Sequence, residues 1–428
     1  MQRTDAEHYQ FLRSRAFVDA PRPAWYHARM KRFDIAVLGG TRAGAFAADA
    51  LSAAGKSVVL VKTDGDDAAD RLIAALDGGT HPEPAPERFQ TVSGPARFLS
   101  PRRLAVGDEE IEADRAIIAV GAIPSGEWDL GVGPFPTLMD ALTGAAPGSA
   151  AVLGAGPGAV IAAERIAADG ARVTLITRSA RLLPREDESV AAAIAGRLAS
   201  AGVEIHTNAS ALGWAPSGIT RWTAGGAPRE VQTDAIFPET DLRAATAALD
   251  LPKAGVYANV MGSVVTDEEM RTSRPGIWAA GHAVSPGASL AEHSHEAELA
   301  AHNARAGFLD KRKAEPALPP VVIRTSPPAA RVGLTEAEAR SRFRDAIAAV
   351  AQDASGLVKI VGRRRGGRLL GAHLVGPGAP DGALFFDLLL RSEIPIGDVP
   401  DRRHFPATGP SDTVYRALRA WVTAAHGE

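Results

Sequence analysis

Apolar and polar positions along the chain predict two strand–helix–strand units. The first opens with an apolar run at 33–38, continues through a helical stretch and reaches a second apolar strand at 57–62. The second opens at 150–153 and reaches its second strand at 172–177. A glycine-rich turn joins strand to helix in both units, and this order within about 30 residues is typical of parallel, dinucleotide-binding folds.

The second glycine-rich turn has the sequence of a phosphate-binding loop. Gly154 permits a tight turn, Gly156 lets a pyrophosphate approach the backbone, and Ala159 is small enough for the helix to pack on the strand. Free N–H groups and the helix dipole favour an anion at the start of the helix. We predict a bound nucleotide here, and a retained fold with an empty site is the alternative.

The end of the following strand indicates which nucleotide would bind. NAD sites usually place a carboxylate there, but this chain has Arg178 and Arg181 and no acid. Two guanidinium groups can hold a 2′-phosphate, so the pattern favours NADP(H) over NAD(H). The alternative is that both arginines are solvated surface residues.

The first glycine-rich turn departs from the pattern. Thr41 stands at the second glycine position, where a side chain is expected to obstruct a pyrophosphate. Lys62 stands where a ribose-binding acid is usual, and Asp64 can substitute only if the strand end shifts. The candidate cofactor-binding residues of this turn are Gly39, Gly40, Thr41, Gly44 and Lys62.

Further motifs follow in order. They are a strand ending at Gly121, a segment 270–282 ending in Gly281-His282, and apolar runs at 329–336, 357–361 and 369–375. The runs at 357–361 and 369–375 suit antiparallel strands joined by the turn Gly366-Gly367. From about residue 33 onward, the chain resembles the pyridine nucleotide-disulfide oxidoreductase family, which includes dihydrolipoyl dehydrogenase, glutathione reductase and mercuric reductase.

The resemblance implies an α/β fold. It consists of two Rossmann-like dinucleotide-binding domains, the second inserted in the first, and a C-terminal α+β dimerisation domain that forms a homodimer. The predicted boundaries are 1–32 for an N-terminal extension, 33–147 with 256–315 for an FAD-binding-type domain, 148–255 for an NAD(P)-binding-type domain and 318–428 for the dimerisation domain.

The positions that carry the chemistry of the family are changed. The segment 64–112, where family members have a redox cysteine pair, contains no thiol, and the whole chain has no cysteine. Ile161 replaces a glutamate that pairs with a lysine near those cysteines, and Ala407 replaces the catalytic histidine. His404 can take that role only through a backbone shift. Disulfide reduction is therefore excluded, and the catalytic candidates are His282 and His404.

The resemblance implies FAD at the first unit and NADP at the second. Gly121 and Gly281 belong to the motifs on the flavin side. His282 replaces an aspartate that in the family binds the ribityl chain or the pyrophosphate, and histidine can still donate or accept a hydrogen bond there.

Four histidines, His282, His293, His295 and His302, lie within a short stretch. Their spacing is not a strong metal signature, so we predict a polar helix start and no metal site. Ligation of a transition metal and a role facing the flavin or a substrate are the alternatives.

Composition adds limits on partners and location. The formal net charge of −3 gives no reason to expect nucleic acid or an anionic membrane. No apolar run reaches the roughly 18 residues that span a bilayer, and no signal-peptide pattern opens the chain, so we expect a cytoplasmic protein. Residues 1–32 are predicted to form a packed extension, with an arm that contacts a partner protein as the alternative.

Two functions remain open from the sequence. The first is an FAD-dependent NAD(P)H oxidoreductase that acts without a dithiol relay on an unknown acceptor. The alternative is a catalytically inert relative that serves as a dimeric scaffold, a regulatory protein or a nucleotide-binding partner. The retained glycines favour the first function, and the changes at Thr41, Lys62, Ile161, His282 and Ala407 favour the second.

Overall fold

A computed structural model describes residues 31–63, 68–77, 88–125, 138–214, 218–307, 310–314, 320–354, 356–392, 394–402 and 409–427. The strands are β1 (Lys31–Leu38), β2 (Val58–Lys62), β3 (Gln90–Ser93), β4 (Ala96–Ser100), β5 (Arg103–Val106), β6 (Glu109–Ile118), β7 (Ala122–Ser125), β8 (Ser149–Leu153), β9 (Arg172–Ile176), β10 (Glu204–His206), β11 (Ala209–Trp214), β12 (Ile219–Ala224), β13 (Ala227–Gln232), β14 (Ala235–Pro238), β15 (Asp241–Ala244), β16 (Ile277–Ala279), β17 (Val321–Ile323), β18 (Ala329–Gly333), β19 (Ala346–Asp353), β20 (Gly356–Arg363) and β21 (Leu369–Val375). The α-helices are α1 (Arg42–Ala53), α2 (Ala68–Asp77), α3 (Leu138–Thr143), α4 (Pro157–Ala168), α5 (Glu188–Ser200), α6 (Leu251–Ala254), α7 (Leu290–Arg305), α8 (Glu336–Arg342), α9 (Ala379–Ser392), α10 (Asp398–Arg402) and α11 (Pro410–His426).

The first sheet has the strand order β3-β2-β1-β6-β5-β4, and β16 pairs with β6. Strands β1, β2, β3, β6 and β16 run parallel, while β4 and β5 form an antiparallel extension. Alternate side chains of β1 enter two cores: Ile35 and Val37 pack with α1 and α7, and Ala36 and Leu38 pack on the opposite face. Because both faces are covered, β1 reads as a nearly continuous apolar run.

The second sheet, β10-β9-β8-β14, is entirely parallel. Helices α4 and α5 bury Val160, Ile166 and Ile194 in one core with β8 and β9. On the other face, Trp222 of the antiparallel sheet β11-β12-β13 packs on Leu153. The carboxyl ends of β8 and β14 therefore lie side by side, which positions the residues that follow them.

The C-terminal sheet is antiparallel, in the order β17-β18-β21-β20-β19. The predicted strand pair at 357–361 and 369–375 is confirmed as β20 and β21. Helices α9 and α11 bury Phe386, Leu418 and Trp421 against it. The two parallel sheets and this domain confirm the predicted α/β fold class. Residues 1–30, which hold most of the predicted extension, lie outside the described residues.

Among the described helices, none has the length and apolar character needed to cross a lipid bilayer.

Candidate functional site

The turn between β1 and α1 has the close backbone packing of a phosphate-binding loop. Gly39 has φ +123°, and a Cβ placed on it would lie 2.1 Å from the carbonyl oxygen of Ala119. A Cβ on Gly44 would lie 2.1 Å from the carbonyl oxygen of Gly39. The packing therefore requires glycine at both positions.

Thr41 has a different role from the one expected. It is 1% exposed, and its hydroxyl donates to the carbonyl oxygen of Ala119 at 2.6 Å and accepts from the amide of Gly44 at 3.1 Å. This is an N-cap of α1 with the side chain turned towards the sheet. The expected obstruction of the loop by Thr41 is therefore wrong.

Lys62 ends β2, and Gly121 lies in the connection between β6 and β7. The methylene chain of Lys62 covers Gly40, since a Cβ on Gly40 would lie 2.8 Å from Cγ of Lys62. The carbonyl oxygen of Gly121 accepts from the amide of Ala245 at 2.9 Å, which joins β7 to β15. Asp64 lies outside the described residues.

Asp70, on α2, places a carboxylate at the start of α1. Its Oδ2 accepts from the backbone amide of Arg42 at 2.5 Å, and its Oδ1 lies 3.2 Å from Nε2 of His282. A helix N-terminus favours an anion, so this carboxylate takes the position where a phosphate is expected. No local sequence pattern points to Asp70.

His282 and His293 meet beside this carboxylate. Both are 1% exposed, and their ring centroids are 4.3 Å apart. Nε2 of His293 lies 2.9 Å from the carbonyl oxygen of Ser285. Burial, together with His282, lowers the pKa of His293 to about 4, so its imidazole is neutral at pH 7.

Glu296 anchors the turn that carries His282. It accepts from the amide of Gly281 at 2.7 Å and from the hydroxyl of Ser285 at 2.9 Å. Burial raises the pKa of Glu296 to about 7. Gly281 has φ +68°, which suits glycine in this tight turn.

The remaining predicted histidines do not join this group. His295 is exposed on α7, and His302 contacts the carbonyl oxygen of Asp310 at 2.7 Å. His404 and Ala407 lie outside the described residues, so their predicted roles stay predictions.

In the second glycine-rich turn, Glu239 occupies the predicted phosphate position. Its Oε2 accepts from the amide of Gly156 at 2.7 Å, and its Oε1 accepts from the amide of Ala159 at 3.1 Å. A Cβ on Gly154, Gly156 or Gly158 would lie 2.5, 2.6 or 2.9 Å from the Glu239 side chain. The turn therefore encloses a carboxylate of its own chain.

Glu239 reaches this position because it follows β14 directly. Its amide donates to the carbonyl oxygen of Leu153 at 2.6 Å, so it continues the parallel pairing with β8. The carboxyl end of a parallel strand faces the ligand crevice of such a sheet. Burial raises the pKa of Glu239, while hydrogen bonds from the loop amides oppose this change.

The two arginines after β9 have different surroundings. The guanidinium group of Arg181 donates to the carbonyl oxygens of Leu183, Pro184 and Glu186 at 2.8, 2.9 and 2.8 Å. It therefore holds the 181–186 turn, and these contacts compete with a phosphate. Arg178 is exposed.

Comparisons with known proteins agree with this architecture. Residues 33–306 match the family profile described as pyridine nucleotide-disulphide oxidoreductase, and residues 319–405 match its dimerisation domain. Dihydrolipoyl dehydrogenase of Bacillus subtilis (strain 168) is 31% identical over 365 residues, covering 78% of this chain and 76% of the relative. Mercuric reductase of Streptomyces lividans is 31% identical over 339 residues, covering 73% and 70%.

A solved structure has the same fold. It is the Cu(II) complex of the HOCl-induced flavoprotein disulfide reductase RclA from Escherichia coli, with a TM-score of 0.76 and 22% identity over 91% of this chain and 99% of that chain.

Proposed function

Because this chain belongs to the pyridine nucleotide-disulphide oxidoreductase family, we propose that it is a flavin-dependent NAD(P)H oxidoreductase that acts without a dithiol relay. Members of the family are FAD-dependent flavoproteins. The chain contains no cysteine, so reducing equivalents would pass from the flavin directly to an acceptor. Its dimerisation domain supports a homodimer.

The observation that carries this proposal is the shape of the glycine-rich turn between β1 and α1. Gly39 and Gly44 keep the close backbone packing of a phosphate-binding turn, and the inward Thr41 leaves the turn unobstructed. Both ring nitrogens of the buried His282 lack a hydrogen-bond partner within the described part of the chain. FAD would be held by Gly39, Gly40, Gly44, Gly281 and His282. When bound, it supplies hydride chemistry.

One contact in this loop competes with the cofactor. The Asp70 carboxylate already accepts from the first amide of α1, and a flavin phosphate would need the same amide. Asp70 lies at a partly exposed position, with its side chain 14% exposed, so a change of its rotamer can release the amide.

The second loop does not fit a pyridine nucleotide in this conformation. Glu239 fills the space above Gly154, Gly156 and Gly158 and accepts from loop amides that a pyrophosphate would need. Reduction of the flavin by NAD(P)H therefore requires Glu239 to leave the loop.

A second function is favoured by the same carboxylates. Asp70 accepts a hydrogen bond from the first amide of α1, and Glu239 accepts one from the glycine-rich turn before α4. These are the two places where a flavoprotein of this fold would bind the phosphates of FAD and of the pyridine nucleotide. A dimeric scaffold or regulatory protein would gain stability from such internal capping and would lose no activity.

The absorption spectrum of the purified protein separates the two functions. The spectrum is recorded before and after addition of FAD. The oxidoreductase is supported if flavin bands are present and bleach when NADPH or NADH is added without oxygen. Gly39→Ala is the matched variant, since its Cβ would clash with Ala119, and it should lose the flavin. A colourless wild-type protein that takes up no FAD contradicts the proposal and leaves the scaffold.

A further inference from the structure

We propose that Asp70, His282 and His293 form a binding site for a divalent transition-metal ion of the zinc or ferrous type. One ligand atom from each residue lies within 4.8 Å of the other two. The three residues come from α2, from the turn after β16 and from α7, so tertiary folding brings them together. The site needs no bound flavin or nucleotide, but it uses His282 and the Asp70 rotamer that blocks a flavin phosphate, so the ion and FAD exclude one another there.

His293 has the orientation of a metal ligand. Its Nε2 donates to the carbonyl oxygen of Ser285 at 2.9 Å, which leaves the lone pair on Nδ1. Nδ1 is buried and has no hydrogen-bond partner among the described residues. Metal-bound histidines commonly donate their other ring nitrogen to a backbone carbonyl, because this bond fixes the tautomer and the ring orientation.

His282 supplies the second nitrogen. Its two ring nitrogens are buried without a hydrogen-bond partner in the described chain, although Nε2 lies 3.2 Å from Oδ1 of Asp70. An ion pair between His282 and Asp70 would leave Nδ1 of His293 unpartnered. One metal ion between the three residues satisfies both histidines, and buried polar atoms are rarely left without a partner.

Asp70 supplies the carboxylate. Its Oδ2 is fixed by the amide of Arg42, and its Oδ1 faces His282. Two imidazole nitrogens and one carboxylate suit zinc with a water as fourth ligand, or ferrous iron with open positions. Asp70 is the most exposed of the three ligands, so the ion and its remaining ligand approach from the side of α2.

This proposal replaces the sequence-based expectation of no metal. It divides the histidine cluster: His282 and His293 are ligands, while His295 is exposed two residues further along the same helix. His295 therefore provides a matched control with the same residue type on the same element.

The test uses the full-length protein, freed of any flavin and then treated with a chelator. It is dialysed against buffered zinc, and zinc per chain is measured by mass spectrometry. We expect one equivalent in the wild type and in His295→Gln. His293→Gln and Asp70→Asn should each weaken binding by at least about tenfold, as loss of even an indirect metal contact does.

Thermal unfolding with and without zinc is the second measurement. Zinc should raise the Tm of the wild type and of His295→Gln, and at the same zinc concentration it should raise the Tm of Asp70→Asn by less. Asp70→Asn is partly exposed and nearly isosteric, so it keeps the test valid if His293→Gln fails to fold. Absence of zinc binding in the wild type, or equal loss in His295→Gln and Asp70→Asn, would overturn the proposal.

Discussion

The carboxylate of Glu239 lies 2.7 Å from the backbone nitrogen of Gly156, inside the glycine-rich turn between β8 and α4 of the second sheet. A phosphate would accept hydrogen bonds from the same amides. The turn therefore keeps the shape of a phosphate-binding loop, but the Glu239 carboxylate occupies the position of the phosphate. This contact decides whether the second sheet can receive a pyridine nucleotide.

Replacing Glu239 with glycine should open the second loop. The variant loses a side chain that fills the space above Gly154 and Gly156, and it exposes loop amides to an incoming phosphate. We expect NADPH to bind at least about tenfold more tightly than to the wild type, a change of about 1.4 kcal/mol. Isothermal titration calorimetry with NADPH and NADH measures it.

Glu239→Gln is the control for the opening of the loop. It keeps the volume of the side chain but cannot carry a charge. If the volume of Glu239 is what excludes the nucleotide, Glu239→Gln should bind NADPH about as weakly as the wild type does. Equal NADPH affinity in the wild type and in Glu239→Gly would contradict the role assigned to Glu239.

In the Glu239→Gly background, the two arginines should behave differently. Arg178→Gln should lower the preference for NADPH over NADH, because Arg178 is exposed after β9. Arg181→Gln should instead lower the Tm with little change in preference, since Arg181 holds three carbonyl oxygens of its own turn. A loss of NADPH preference on replacing Arg181 would show that its turn rearranges for the nucleotide.

Much of the fold could be predicted from local sequence patterns. The apolar runs around Gly39 and Gly154 lie within single strand–helix–strand units, so their order in the chain is enough to identify the parallel sheets. The strand pair β20 and β21 is likewise joined by a short turn.

The carboxylates at the two helix starts could not be predicted in this way. Asp70 and Glu239 reach amides that are 28 and 83 residues away in sequence. No local pattern specifies such pairs, although a glutamate directly after a parallel strand is a usable signal. The role of Thr41 was missed because its side-chain direction depends on a capping bond to Gly44 and on the carbonyl of Ala119.

Lys359 joins the C-terminal domain to the start of α5, and its removal should be costly. Its ammonium group lies 2.7 Å from carboxylate oxygens of both Asp187 and Glu336, and the Asp187 side chain is 2% exposed. Lys359→Met leaves a buried carboxylate unpaired, so we expect a loss of about 3–5 kcal/mol in the free energy of unfolding. Urea denaturation measures the change.

The control for Lys359 is Lys313→Met. Lys313 pairs with Glu268 at 3.1 Å on the surface, where both side chains are largely exposed. Solvent-exposed ion pairs contribute little stability, so the control should unfold close to the wild type. A similar small effect for Lys359→Met would show that the contact between the domains carries little stability.

Leu388 should lie in the dimer interface. Leu384 and Leu388 follow one another on the same face of α9 and are 62% and 61% exposed in the single chain. Leu388→Glu should convert a dimer into monomers, as measured by light scattering after gel filtration. Tyr257→Glu, at an exposed position outside the C-terminal domain, should leave the dimer intact. A dimer that survives Leu388→Glu would place the interface elsewhere.

His373 should make the protein sensitive to acid. It is fully buried on β21, its Nε2 donates to the carbonyl oxygen of Leu334 at 3.0 Å, and burial lowers its pKa to about 4. The unfolded chain binds a proton near pH 6.5, while the folded protein resists protonation until about pH 4. The stability that neutral His373 provides is therefore present above pH 6.5 and is lost as the pH falls towards 4.

Urea denaturation across this pH range tests the role of His373. His373→Gln keeps a donor for the carbonyl of Leu334 but cannot titrate, so the variant should lose less stability on acidification than the wild type, by on the order of 2–3 kcal/mol. His426→Gln, at an exposed position near the end of α11, should retain the acid sensitivity of the wild type. Parallel pH profiles for wild type and His373→Gln would mean that His373 does not control the acid response, which would then rest on other groups such as His293.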